Sequence, residues 1–148
     1  MVEAFLTALQ GEDIEGVMAL VDDDIVYENR GLPAVAGRRR VGRIFRLLDR
    51  RAIGFQTHIH TISAVGATVL TERTDVHRIG PLTAQFWVCG RYDVHHGKLT
   101  LLREYFDFLD IGRAALRGAI SIALPRVAPP PPGPDTRPGR SLRRSGER

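Results

Sequence analysis

Between Ala52 and Leu109 the chain is written almost entirely in residues that favour extended backbone. Val, Ile, Thr and aromatic side chains fill four segments: Ala52–Val65, Thr68–Ile79, Leu82–His95 and Lys98–Leu109. The breaks between them are two residues each, Gly66-Ala67, Gly80-Pro81 and His96-Gly97. Connections that short leave no room for a crossover helix, so successive strands must run antiparallel. The segments run to about 12 residues, against a usual strand length of about 5–6. Long strands on tight turns accumulate twist, and the expectation is a sheet curved strongly enough to wrap around something.

The N-terminal part supplies what the sheet wraps. Val2, Phe5, Leu6 and Leu9 recur at helical spacing over residues 2–10, and Gly11 is a stop. Asp13 can cap a second helix, Ile14 to Val21, with Val17, Met18 and Val21 on one side. Asp22-Asp23-Asp24 reads as a turn and Ile25–Asn29 as a strand. Gly31, Pro33 and Gly37 mark a loop. Residues 38–50 return to helical period, with Val41, Ile44, Phe45 and Leu48 as the apolar stripe. Ile111–Leu124 can form a closing helix. The fold class is α+β: a strongly curved, mixed but largely antiparallel β-sheet forming a cone, with N-terminal helices packed into its concave side.

Composition divides the chain after Leu124. Seven of the nine prolines and six arginines follow it, opposed only by Asp135 and Glu147. The net charge of +4 therefore resides in the tail, and the body is neutral. The high pI does not mark the body as a binder of nucleic acid or membranes. Residues 1–124 are expected to form one domain, and 125–148 a disordered Pro/Arg-rich tail whose binding to a partner is not favoured. The arginines of 38–43 have no interleaved aromatic residues of the kind that stack on bases, so they read as a solvated face. One cysteine, Cys89, rules out an internal disulfide and a multi-cysteine zinc site. No apolar run approaches the roughly 20 residues of a spanning helix. No basic region followed by an apolar stretch opens the chain, and the expected setting is cytoplasmic.

Strand alternation gathers the polar groups. Val69, Thr71, Arg73 and Asp75 share one face. So do Leu99, Leu101, Arg103, Tyr105 and Asp107. Ile25, Tyr27 and Asn29 form a third such row. Each row starts apolar and ends polar. If all three line the cone, Asp75, Asp107, Arg73, Tyr27 and Asn29 meet in one patch. Arg73 can bridge the two acids through its planar fork. Two carboxylates side by side do not easily both ionise, which puts an acid next to a base. By spacing alone, a structural ion pair remains an equal reading.

The same residues resemble a known family. Tyr27-Glu28-Asn29 followed by Leu-Pro and Gly-Arg, then Glu72-Arg73-Thr74-Asp75, then Arg103-Glu104-Tyr105-Phe106-Asp107 are similar, in order and approximate spacing, to the limonene-1,2-epoxide hydrolase family. That family is a branch of the cone-shaped fold shared with ketosteroid isomerase and polyketide cyclases. The resemblance covers roughly residues 1–118. It implies that Asp107 is the general base, activating a water also held by Tyr27 and Asn29. It implies that Asp75 is the general acid and that Arg73 bridges the two. No cofactor is implied. The partners would be a small lipophilic epoxide, water and a second copy in a homodimer. The short N-terminal segment and the tail depart from the family pattern.

Other readings stand beside this one. An isomerase or cyclase of the same fold would move a proton with one Asp and would not need Arg73 between two acids. A binding or dimerisation module would use the polar patch only to hold a ligand. The chain has no Gly-x-Ser-x-Gly elbow. His58, His60 and His77 are a weak candidate metal set, lacking a carboxylate or cysteine at recognisable spacing.

Overall fold

The structure, a computed structural model, describes residues 1–48 and 53–136. Two short helices, α1 (Val2–Gln10) and α2 (Ile14–Ala19), open the chain. Asp13 caps α2, its carboxylate accepting from the Gly16 amide at 2.8 Å. The helix ends before the expected Val21 because the next backbone is taken by the sheet. The Leu20 carbonyl accepts from the Leu99 amide at 2.8 Å, and Val21 pairs with Leu99.

Strand β1 therefore runs Val21–Asn29 and includes the three aspartates expected in a turn. They sit in an irregularity between Val21 and Val26, where Asp22 accepts from the Asp24 amide. A two-residue strand, β2 (Val35–Ala36), pairs with the edge of β1 and was not foreseen. Helix α3 (Arg38–Leu48) follows, and the end of the helix expected over 38–50 lies outside the described residues. The long strands are β3 (Ile53–Val65), β4 (Thr68–Ile79) and β5 (Leu82–His95), then the shorter β6 (Lys98–Tyr105).

The sheet order is β2-β1-β6-β5-β4-β3. All neighbours are antiparallel except β1 and β6, which are parallel, so the sheet is mixed. Bulges interrupt β3 between Ile59 and Thr61 and the β5–β6 pairing between Asp93 and Val94. Bulges increase local twist, and the long strands curl into an unclosed cone. Its concave side holds α1 and α2. Val2, Phe5, Leu6, Leu9, Ile14 and Val17 pack with Phe45, Phe55, Tyr92, Leu99 and Leu102 in one core. Phe5 sits edge-on to Phe45 and Tyr92, with centroids 5.8 and 6.3 Å away.

The last strand differs from its expected extent. It ends at Tyr105, not Leu109, and α4 (Phe108–Ala123) begins earlier than Ile111. Asp107 is the reason. Its carboxylate accepts from the Leu109 amide at 2.7 Å, and Asp110 lies in the first turn. Beyond α4, residues 125–136 lie against the fold. Arg117 donates to the Val127 and Ala128 carbonyls, and Thr74 Oγ1 donates to the Thr136 carbonyl. Ala128 to Pro132 border a cleft on the convex face with Gln56, Val76 and Gln85. The remainder of the tail lies outside the described residues. Among the described residues, no helix is long and apolar enough to cross a membrane.

Candidate active site

The concave face of β4 carries Thr71, Arg73, Asp75 and His77 in alternation. Arg73 is 1% exposed and Asp75 3%, which forces every hydrogen-bonding atom to find a partner inside the fold. Arg73 Nε donates to both Asp75 oxygens at 2.9 and 3.0 Å. Nη1 donates to Tyr92 Oη at 2.6 Å and to Thr71 Oγ1 at 3.4 Å. Nη2 donates to the Glu104 carboxylate. Thr57 on β3, opposite Asp75 in register, donates its hydroxyl to Asp75 Oδ1 at 2.6 Å.

The guanidinium thus bridges Asp75 and Glu104, not Asp75 and Asp107. Asp107 is exposed and is engaged as the α4 cap. The row Leu99-Leu101-Arg103-Tyr105-Asp107 does not exist as one face. The bulge in the β5–β6 pairing breaks it: Leu99 is opposite Val94, Leu101 opposite Asp93, and Thr100 is skipped. One slipped residue exchanges the faces. Beyond the bulge Leu102 and Glu104 point into the cone, in register with Tyr92 and Gly90. Arg103 is on the convex side, where its Nε donates to Glu28 at 2.7 Å.

The β1 residues arrive as expected. Tyr27 and Asn29 pair in register with Leu102 and Glu104. Asn29 Nδ2 donates to Tyr27 Oη at 3.0 Å, and Tyr27 Oη donates to Glu104 at 3.4 Å. Asn29 Oδ1 is buried and has no partner among the described residues. It is an orphan acceptor beside a carboxylate and a phenol, a place suited to a donor such as water.

Electrostatics keep the donors in place. Burial would lower the Arg73 pKa, but the Glu104 and Asp75 carboxylates outweigh it and hold the guanidinium well above its ordinary range. Burial, reinforced by Glu104, raises the Tyr27 pKa, so the phenol keeps its proton. Burial likewise raises the Tyr92 phenol against the opposing pull of Arg73.

Gly90 makes the arrangement possible. A Cβ there would lie 2.5 Å from Arg73 Nη1, 2.8 Å from Tyr92 Cε2 and 2.9 Å from Thr71 Oγ1. The bare backbone lets the guanidinium pass between β4 and β6. Glu104, Thr57, Tyr92 and Gly90 are the site residues that strand reading missed. Counting the face from Leu102 would have found Glu104. The signal for Asp107 as a cap was Asp110 three residues on.

The wall around Asp75 is aromatic. Phe86 lies opposite Asp75 in register, and Trp87 points the other way, toward Glu72. His77 stacks on Phe86 and tilts against Phe55. Phe106 and Phe108 extend the row. No group of three potential metal ligands is present among the described residues. His58 and His60 lie on the convex face, with His60 bonded to Thr74, whereas His77 is on the concave face. Burial raises the Cys89 pKa, as suits an inert thiol.

The model of the limonene-1,2-epoxide hydrolase catalytic domain matches residues 1–117. The chain belongs to the limonene-1,2-epoxide hydrolase family. It is 50% identical over 126 residues to epoxide hydrolase EphG of Mycobacterium tuberculosis, covering 85% of this chain and 84% of that one. It is also similar to the solved structure of an M. tuberculosis LEH-like epoxide hydrolase, with a TM-score of 0.83 and 47% identity, covering 87% of this chain and 91% of that chain. A polyketide-cyclase-like structure from Xanthomonas campestris superposes with a TM-score of 0.68 at 17% identity, over 76% of this chain and 93% of the other. That likeness shows the shared cone fold alone. Family membership makes this chain an epoxide hydrolase and directs attention to which of its acids do the work.

Proposed function

We propose that the site adds water to a lipophilic epoxide in one step, with Glu104 as general base and Asp75 as general acid. One observation carries this reading: a single buried guanidinium holds Asp75 on one side and Glu104 on the other. A one-acid isomerase has no use for that bridge.

The Glu104 side suits the nucleophile. A water there donates one hydrogen to the Glu104 carboxylate and the other to the orphan Asn29 Oδ1, beside the Tyr27 hydroxyl. The oxirane oxygen lies on the Asp75 side. Water oxygen bonds to one oxirane carbon as that carbon's bond to the ring oxygen breaks. Asp75 gives its proton to the leaving oxygen, and Glu104 takes the proton of the water. The product is a vicinal diol, with Asp75 ionised and Glu104 protonated until the proton is returned. Negative charge has then moved from one end of the guanidinium to the other. Arg73 bonds both ends, so it compensates the charge before and after the step without being rebuilt.

Phe55, Phe86, Phe106 and Phe108 support a lipophilic substrate. A homodimer belongs to the same reading, supported by Leu109, Leu116 and Ile120, which α4 leaves exposed. So does a cytoplasmic setting, supported by the lone cysteine.

Single-turnover hydrolysis in oxygen-18 water tests the mechanism. The label is expected in the diol and not in the protein. Label first appearing in the carboxylate of Asp75 or Glu104 would mean a covalent ester and overturn the one-step scheme.

A further inference from the structure

His77 has no part in the step just described, yet it stands beside it. It follows Asp75 by two residues on β4, so both project to the concave face, roughly 7 Å apart along the strand. Its ring is framed by hydrocarbon. It stacks on Phe86 at 5.4 Å between centroids and 4° between planes, and lies 5.3 Å from Phe55 on the other side. Among the described residues, no hydrogen bond reaches the ring nitrogens. A leucine or phenylalanine would fill the same wall with no polar atom to satisfy. Burial holds the imidazole pKa below its ordinary value, against the opposing pull of Asp75 and Glu104. At neutral pH the ring is uncharged, with one nitrogen donating and one accepting.

We propose that His77 is a specificity-determining residue that hydrogen-bonds an oxygen substituent (hydroxyl, ether or carbonyl) on the epoxide's carbon skeleton, one strand repeat from the oxirane held at Asp75. The proposal rests on Asp75 being the acid that receives the oxirane. The aromatic rings take the hydrocarbon between the two ends. The substrate class is then an oxygenated lipophilic epoxide, distinct from a pure hydrocarbon one.

A matched pair tests it: the terminal epoxide of hexane, and the same epoxide with a hydroxyl on its far carbon. The ratio of their kcat/KM values is expected to favour the hydroxylated epoxide in the unmodified enzyme. In His77→Leu that ratio should fall about tenfold, chiefly through KM, the scale of one neutral hydrogen bond. His77→Gln, which keeps a donor and an acceptor, should restore much of it. A ratio unchanged in His77→Leu overturns the proposal, even if both rates drop together. The same ratio, measured as affinities for the two diol products, needs no turnover. Failure of the hydrolytic reading is therefore distinguishable from failure of the His77 contact.

Discussion

Arg73 donates from Nη2 to the Glu104 carboxylate, reaching from β4 to β6 across the bare backbone of Gly90. This contact joins the two ends of the proposed acid–base pair. It also puts Glu104 where the sequence reading had put Asp107.

Glu104→Gln removes the base but keeps the size and a hydrogen-bonding head. It should cost about 100- to 10,000-fold in kcat, the usual contribution of a positioned acid or base. Asp107→Ala should instead keep turnover within a few-fold and lower stability by about 1 kcal/mol through loss of the α4 cap. Steady-state kinetics and thermal melts of both variants check this pair. Near-complete loss of turnover in Asp107→Ala with an intact melt would restore Asp107 as the base.

Gly90→Ala adds one methyl group where no space exists. Overpacking of this kind costs about 1–3 kcal/mol. Because the first atom met is Arg73 Nη1, kcat should fall along with stability. An enzyme with unchanged kcat and melting temperature would show that the guanidinium can yield without consequence.

His77 predicts a stability slope in acid. Its pKa is depressed in the folded state, so the unfolded chain binds a proton first as pH falls. Stability contributed by the neutral ring is complete above the unfolded value of about 6.5. It is lost as pH drops from there toward the folded value, and the loss then levels off. Asp75, Glu104 and Arg73 are the charged groups acting on the ring. Melting temperature measured across this window should decline more steeply for the unmodified protein than for His77→Leu. Identical slopes would remove His77 as the cause.

Deleting 125–148 tests the covering of the convex face. Val76 is 2% exposed, and it borders one cleft on that face together with the stretch from Ala128 to Pro132. Stability should fall on the order of 1 kcal/mol from the apolar surface uncovered. Turnover should be retained, because Arg73, Asp75 and Glu104 face the opposite side of the sheet. A large fall in kcat would tie the tail to the site.

Local chemistry determined much of this protein. Apolar spacing and turn residues were enough for α1, α3 and the three long strands, because each element buries one face and its period is written in the chain. Alternation also brought Tyr27, Asn29, Arg73 and Asp75 to the concave side, since β1 near its end and β4 throughout are regular. Tertiary structure decided the rest. The β5–β6 bulge depends on how two strands meet, and its one-residue slip chose Glu104 over the outward Arg103 and Tyr105. The competition between strand and cap at Asp107 was settled by α4 needing a partner for its first amides. The room for Arg73 came from Gly90, a residue on another strand. The bulge and the room at Gly90 cannot be read from one segment, because each is a relation between segments that only packing creates, whereas the Asp107 cap is a local contact whose signal, Asp110, lies in the same stretch.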